Sequence, residues 1–162
     1  MADSRRVLPP PRKRRRPSVT EDLAGRLAAG AELLGVPLSE AQSRALLAYG
    51  DLILKWNKVY NLTAVRTPEA VLTHHLLDSL AAVPPLLRHL KTTVCLEGKG
   101  AALLDVGAGA GLPGVVFAIA IPALQVTCVD AVAKKMAFVQ QVAVELKLSN
   151  LKPVHSRVEQ LS

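Results

Sequence analysis

The chain is poor in aromatic residues, with one Trp, two Tyr and two Phe among 162 residues of which half are hydrophobic. A core must therefore be built from aliphatic Leu, Val, Ala and Ile side chains. Cysteine is scarcer still, and Cys95 and Cys128 both sit inside apolar stretches. Two such residues make neither a disulfide framework nor a ligand set, and they read as small core residues of a reduced, cytoplasmic protein. Long hydrophobic runs are missing as well, since none reaches the roughly 20 residues that cross a bilayer. The opening Met1-Ala2-Asp3-Ser4-Arg5-Arg6 has no apolar segment behind it, which argues against a secretory signal. His74, His89 and His155 show no metal-ligand spacing with one another or with the cysteines. The expectation is one globular domain with a small helical appendage, no membrane partner and no metal.

Acidic balance is lacking at one end only. The net charge is +7, but residues 1–17 hold seven Lys or Arg against one Asp, so the rest of the chain is close to neutral. The positive field belongs to Arg5-Arg6 and Arg12-Lys13-Arg14-Arg15-Arg16, kept extended by Pro9, Pro10, Pro11 and Pro17. Such an arm can hold phosphates by charge alone, a contact that weakens steeply with salt. A solvated tail that aids solubility is the competing reading, and a nuclear-import signal fits the composition without other support.

Helix signals fill the next stretch. Ser18-Val19-Thr20-Glu21 has capping-box spacing, and Leu23, Leu27 and Leu34 give a stripe that stops near Gly35. A second start follows at Ser39-Glu40-Ala41-Gln42, with Leu46, Leu47, Ile53 and Leu54 on one face. Thr67-Pro68-Glu69 opens a third helix with proline at its first position; Val71, Leu72, Leu76 and Leu80 supply the stripe, and Pro84-Pro85 is expected to end it.

The pattern changes after Gly98-Lys99-Gly100. Residues 101–106 suggest a buried strand, 113–121 a helix closed by Pro122, 125–129 a second strand, 132–148 a longer helix and 152–156 a third strand. Strand and helix alternating in this order predict an α/β fold with a parallel sheet. The expected division is a basic arm over 1–17, a helical extension over 18–97 and a partial cofactor-binding domain over 98–162.

The most informative stretch is Leu104-Asp105-Val106-Gly107-Ala108-Gly109-Ala110-Gly111-Leu112-Pro113-Gly114. Three glycines between a strand and a helix let the backbone turn sharply and approach a ligand at the carboxyl edge of the sheet. A dinucleotide fingerprint needs its third glycine three positions after the second, where this chain has Leu112. Here the third glycine, Gly111, comes two positions after Gly109, and an acid, Asp105, precedes Gly107 by two. That acid suits a ligand carrying an ammonium and a sulfonium group and would repel pyrophosphate. Asp130 closes the second strand nineteen residues after Gly111, where a carboxylate can accept both ribose hydroxyls. The spacing resembles that of class I (Rossmann-like) methyltransferases, whose cofactor is S-adenosyl-L-methionine. A tight structural turn with incidental glycines is the competing reading.

Continuing into Leu112-Pro113-Gly114, the loop resembles the RsmG (GidB) family of small-subunit ribosomal RNA methyltransferases. Further segments match in order: Lys55-Trp56-Asn57-Lys58-Val59-Tyr60-Asn61-Leu62-Thr63, His75-Leu76-Leu77-Asp78-Ser79, and Ser156-Arg157-Val158-Glu159. The resemblance runs from about residue 20 to the last residue and excludes the basic arm. It implies S-adenosylmethionine-dependent methylation of N7 of a guanine in 16S ribosomal RNA, with that RNA or the small ribosomal subunit as partner.

By position, the resemblance implies cofactor contacts at Gly107 and Leu112, ribose binding by Asp130, and a grip on the adenine end by Val158 and Glu159. It also puts Lys134, Lys135 and Arg157 at positions that meet RNA phosphate, although ordinary surface charge explains them equally. Asn61, Thr63, His75, Asp78 and Ser79 either line the mouth of the site or act as caps and satisfied core hydrogen bonds. Family members continue past this point with a strand beside the first that bears a Ser-Arg motif. The chain is accordingly expected to be a fragment or a truncated protein with only the first three strands of the sheet. Its first strand would then lack a neighbour on one edge. Two alternatives stand: a methyltransferase of another substrate, and a non-catalytic RNA-binding protein that relies on the arm.

Overall fold

A computed structural model describes residues 18–93 and 100–160. The basic arm, Cys95 and the Gly98-Lys99 boundary lie outside the described residues.

Helix α1 (Val19–Leu33) begins where its local chemistry says it should. The Ser18 hydroxyl accepts from the Glu21 amide and the Glu21 carboxylate accepts from the Ser18 amide, closing the capping box. Helix α2 (Glu40–Tyr60) repeats the device with Ser39 and Gln42 and ends on Asn61 in the left-handed region, φ 49°. Thr67 caps α3 (Pro68–Val71), with proline in the first turn. The helix runs on through a π-helical stretch, Leu72–Leu77, into α4 (Asp78–Ala81).

Pro84-Pro85 does not end helical structure. After a turn at Ala82 the chain re-enters helix as α5 (Val83–Thr93), with both prolines in its first turn, where their missing N–H groups have no intrahelical acceptor to lose. By length and composition the stretch Pro68–Thr92 is apolar enough to cross a membrane, although no continuous run in the sequence suggested it. Its stripe of Val71, Leu72, Leu76, Leu80 and Val83 is buried within the core of this fold.

The second half is a parallel sheet in the order β1 (Ala102–Val106), β2 (Gln125–Asp130), β3 (Leu151–His155). Helices α6 (Gly114–Ala120) and α7 (Ala133–Glu145) make the connections. This is the expected α/β, Rossmann-like arrangement with a helical extension before it. Leu103 pairs with Val126 and Asp105 with Cys128, so these four share the face that turns toward the helices. Strand β1 is not buried on both sides as expected. Its other face leaves Leu104 52 % and Val106 51 % exposed, because no described element covers it.

One continuous core joins the halves. Three of the five aromatic side chains form the seam: Phe138 of α7 lies 6.3 Å from Tyr49 and 5.4 Å from Trp56, both on α2. Gln42 adds a polar tie, its side-chain amide donating to the carbonyls of Ile119 and Ala120 at 3.1 Å each. Asn150 donates to Ala118 and Leu124 at 3.0 Å. The carbonyl end of α6 is thereby satisfied from both sides.

Candidate functional site

The glycine loop takes the conformation its residues permit. Gly107, Gly109 and Gly111 have φ of 71°, 59° and 86°, a region costly for any residue with a Cβ. The amides of Gly107 and Ala108 donate to the Val129 carbonyl at 2.8 and 3.0 Å, which fastens the loop to the end of β2. The three glycines have different surroundings. A Cβ on Gly107 would meet nothing within 4 Å, whereas one on Gly111 would lie 2.4 Å from the Val115 side chain and 3.2 Å from Val139. Gly107 faces open space and Gly111 faces packing.

A cleft of about 460 Å³ lies at the carboxyl ends of all three strands, and Gly107 is among its lining residues; the volume is within the range of small-molecule sites. Val106 and Gly107 line it from β1, Val129, Asp130 and Ala131 from β2, and Ser156, Arg157, Val158 and Glu159 from the segment after β3. Residues Val158–Gln160 form a short 3-10 turn, and Val158 is 47 % exposed, an apolar surface suited to a flat ring.

Asp130 is the polar centre of the wall. It is 8 % exposed, its Oδ1 accepts from the Val132 amide at 2.8 Å and its Oδ2 from the Gly109 amide at 3.0 Å. One carboxylate thus fixes both the glycine loop and the entry to α7. The Lys135 ammonium stands 3.6 Å from Oδ2.

The eight residues expected to hold a cofactor divide into two groups. Gly107, Asp130, Val158 and Glu159 line the cleft; Asp105, Gly109, Gly111 and Leu112 are not among its lining residues. Asp105 faces α6, where its Oδ2 accepts from the Gly114 amide at 2.9 Å and lies 3.9 Å from the Cys128 thiol. Burial raises its carboxyl above the ordinary aspartate range, outweighing the Gly114 amide and the Cys128 thiol. A Cβ on Gly114 would collide with Asp105 Oδ2 and Cys128 Sγ at 2.6 Å, so this glycine is what lets the helix start against the strand. Burial also pushes the Cys128 thiol up to about 12, consistent with a small, inert core residue.

Of the three cations expected to meet RNA, Arg157 lines the cleft, Lys134 is exposed on the first turn of α7, and Lys135 turns inward to Asp130. The polar residues left with two readings divide too. Thr63 Oγ1 and His75 Nε2 are 2.8 Å apart, and Asn61 accepts from Arg66 at 2.9 Å. Both tie down the α2–α3 connection, together with Asn57, which accepts from the Thr63 amide and donates to the Val65 carbonyl. Ser79 is buried and Asp78 exposed; none of these residues lines the cleft. Among the described residues no group of three or more His, Cys, Asp or Glu side chains could hold a metal ion.

Sequence reasoning passed over Tyr49. Its ring is fully buried and its hydroxyl donates to the Ala110 carbonyl at 2.7 Å, inside the glycine loop. Its position midway between Leu46 and Ile53 on the same helical face was the available signal: a polar-tipped ring on a core stripe must find a partner.

The family model described as rRNA small subunit methyltransferase G matches residues 42–162. Curated relatives carry the name ribosomal RNA small subunit methyltransferase G. One from Paracidovorax citrulli is 60 % identical over 145 residues, covering 86 % of this chain and 60 % of the relative. One from Acidovorax sp. strain JS42 is 62 % identical over 135 residues, covering 82 % and 60 %. One from Verminephrobacter eiseniae is 53 % identical over 151 residues, covering 86 % and 63 %. The chain therefore spans about 60 % of the length of these relatives.

Proposed function

The chain belongs to the rRNA small subunit methyltransferase G family, and on that premise we propose that its carboxyl-edge cleft binds S-adenosyl-L-methionine for methyl transfer to N7 of a guanine in 16S ribosomal RNA. The observation that carries the reading is the meeting of Gly107, Asp130 and the Val158–Glu159 turn around one cleft. They come from three separate strand ends, and each offers what one part of an adenosyl ligand needs. Gly107 lines the cleft without a side chain, Asp130 offers a carboxylate to the ribose, and Val158 offers an apolar face to the adenine with Glu159 beside it.

Gly109, Gly111, Leu112 and Asp105 support the site from behind: the glycines set the path of the loop, and Asp105 holds the start of α6. The cofactor supplies an electrophilic methyl group on a sulfonium. Guanine N7 has an exposed lone pair at neutral pH, so no proton has to be removed before it attacks. The protein's part is then to hold donor and base in line, and positioning of that kind can lower a barrier by about 7–11 kcal/mol.

Arg157 at the cleft and Lys134 on α7 suit RNA phosphate, as does the basic arm of residues 1–17. The small ribosomal subunit is the natural partner, and a cytoplasmic location goes with it. Methyl transfer in the relatives' name favours an enzyme over a non-catalytic RNA-binding protein. The direct test incubates the chain with methyl-labelled S-adenosylmethionine and small-subunit RNA and locates the label. Label at a guanine N7 supports the assignment, and label at another atom or in another substrate contradicts it. Removal of residues 1–17 should lower both RNA affinity and its salt dependence; if neither changes, the arm is a passive tail.

A further inference from the structure

The pair Lys135–Asp130 assigns Lys135 a role at the cofactor cleft. Resting on the adenosyl-site reading above, we propose that the Lys135 ammonium competes with the ligand's ribose for the Asp130 carboxylate and is released when the ligand binds.

An ionised carboxylate offers about four lone-pair positions. Two are engaged in holding the fold: Val132 donates to Oδ1 at 2.8 Å and Gly109 donates to Oδ2 at 3.0 Å. Neither can be given up without loosening the glycine loop or the start of α7. A ribose diol needs the remaining two, one on each oxygen. Lys135 Nζ lies 3.6 Å from Oδ2, at ion-pair rather than hydrogen-bond distance, on the oxygen whose remaining position the second hydroxyl requires. The carboxylate side chain is only 9 % exposed, which limits the directions of approach, while the lysine side chain is 30 % exposed and has a route to solvent.

The weaker and more mobile contact yields. A long flexible side chain at this distance holds its partner loosely, whereas the two backbone donors are fixed by the strand end and the helix. Once displaced, the ammonium is free to meet an anion on the first turn of α7, where Lys134 is already exposed. Adenosyl occupancy would then raise the affinity of this edge for phosphate, and by linkage phosphate would raise adenosyl affinity by the same factor.

The test measures calorimetric affinity for S-adenosylhomocysteine, which is zwitterionic and so feels little of a simple change in protein charge. The variants are Lys135→Met and, as a charge control on the same turn, Lys134→Met. Removing a competing ion pair of this kind should tighten binding by about two- to fivefold in Lys135→Met, with Lys134→Met matching wild type. Free adenine, which has no ribose, should bind wild type and Lys135→Met alike. Equal or weaker S-adenosylhomocysteine binding by Lys135→Met overturns the competition while leaving the site intact. Equal tightening in Lys134→Met would reduce the effect to general charge and overturn it too. Absence of binding by folded wild type would remove the cofactor reading itself and the proposal with it.

Discussion

The Tyr49 hydroxyl donates to the Ala110 carbonyl at 2.7 Å, so a helix from the first half of the chain holds the middle of the glycine loop. The ring is fully buried, and burial keeps its phenol protonated well above the ordinary tyrosine range. The bond is therefore a persistent one, and it makes the helical extension part of the cleft's support rather than an appendage.

Tyr49→Phe keeps the ring beside Phe138 and removes only the donor. The buried Ala110 carbonyl is left unsatisfied, which should cost about 1–3 kcal/mol, measured from denaturant midpoints. Because the folded phenol pKa is raised, its contribution to stability is complete below about pH 10 and is lost as pH climbs toward the folded value. Wild type should accordingly lose stability above that point, and Tyr49→Phe should lack this component of the loss.

The glycines of the loop should respond differently to alanine. Gly111→Ala places a Cβ 2.4 Å from Val115 at φ 86°, combining strain with collision, and should cost several kcal/mol, on the order of a large core defect. Gly107→Ala has φ 71° but open space around it, so its cost should be limited to about 1–2 kcal/mol of backbone strain. Gly107 lines the cleft, so ligand affinity should fall more than stability does. Thermal melts and calorimetry on the same two variants separate the effects.

Asp105 titrates against the usual trend for carboxylates. Its folded pKa is raised by burial, so the folded state holds the proton more tightly than the unfolded chain. The stability this contributes is complete below the ordinary value of 3.8 and is lost as pH rises through the folded value. Asp105→Asn abolishes the titration. Between about pH 3 and about pH 7, the stability difference should shift in favour of the variant, as read from urea unfolding at each pH. A shift the other way would mean that the ionised carboxylate is the better partner for the Gly114 amide.

Most of the fold that is legible in the sequence rests on local signals. The Ser18–Glu21 and Ser39–Gln42 boxes involve residues three apart, and both form as expected. Positive φ at Gly107, Gly109 and Gly111 follows from the residue type, and the order of strands and helices follows from their alternation. What escaped depends on contacts between distant parts of the chain. Pro84-Pro85 can stop one helix or start another, and only packing of the segment after it decides. The direction in which Asp105 points, toward α6, is set by Cys128 and Gly114. The inward turn of Lys135 depends on Asp130 five residues earlier, and the Tyr49–Ala110 bond spans 61 positions.

The central claim is that the cleft holds S-adenosylmethionine with Asp130 as its ribose acceptor. Calorimetric titration of wild type and Asp130→Ala with S-adenosylmethionine, both checked for folding by circular dichroism, addresses it most directly. Wild type should bind saturably, and loss of two hydrogen bonds to a charged acceptor should weaken the variant by at least about tenfold. Equal affinity in a folded Asp130→Ala, or no binding by folded wild type, would contradict the claim.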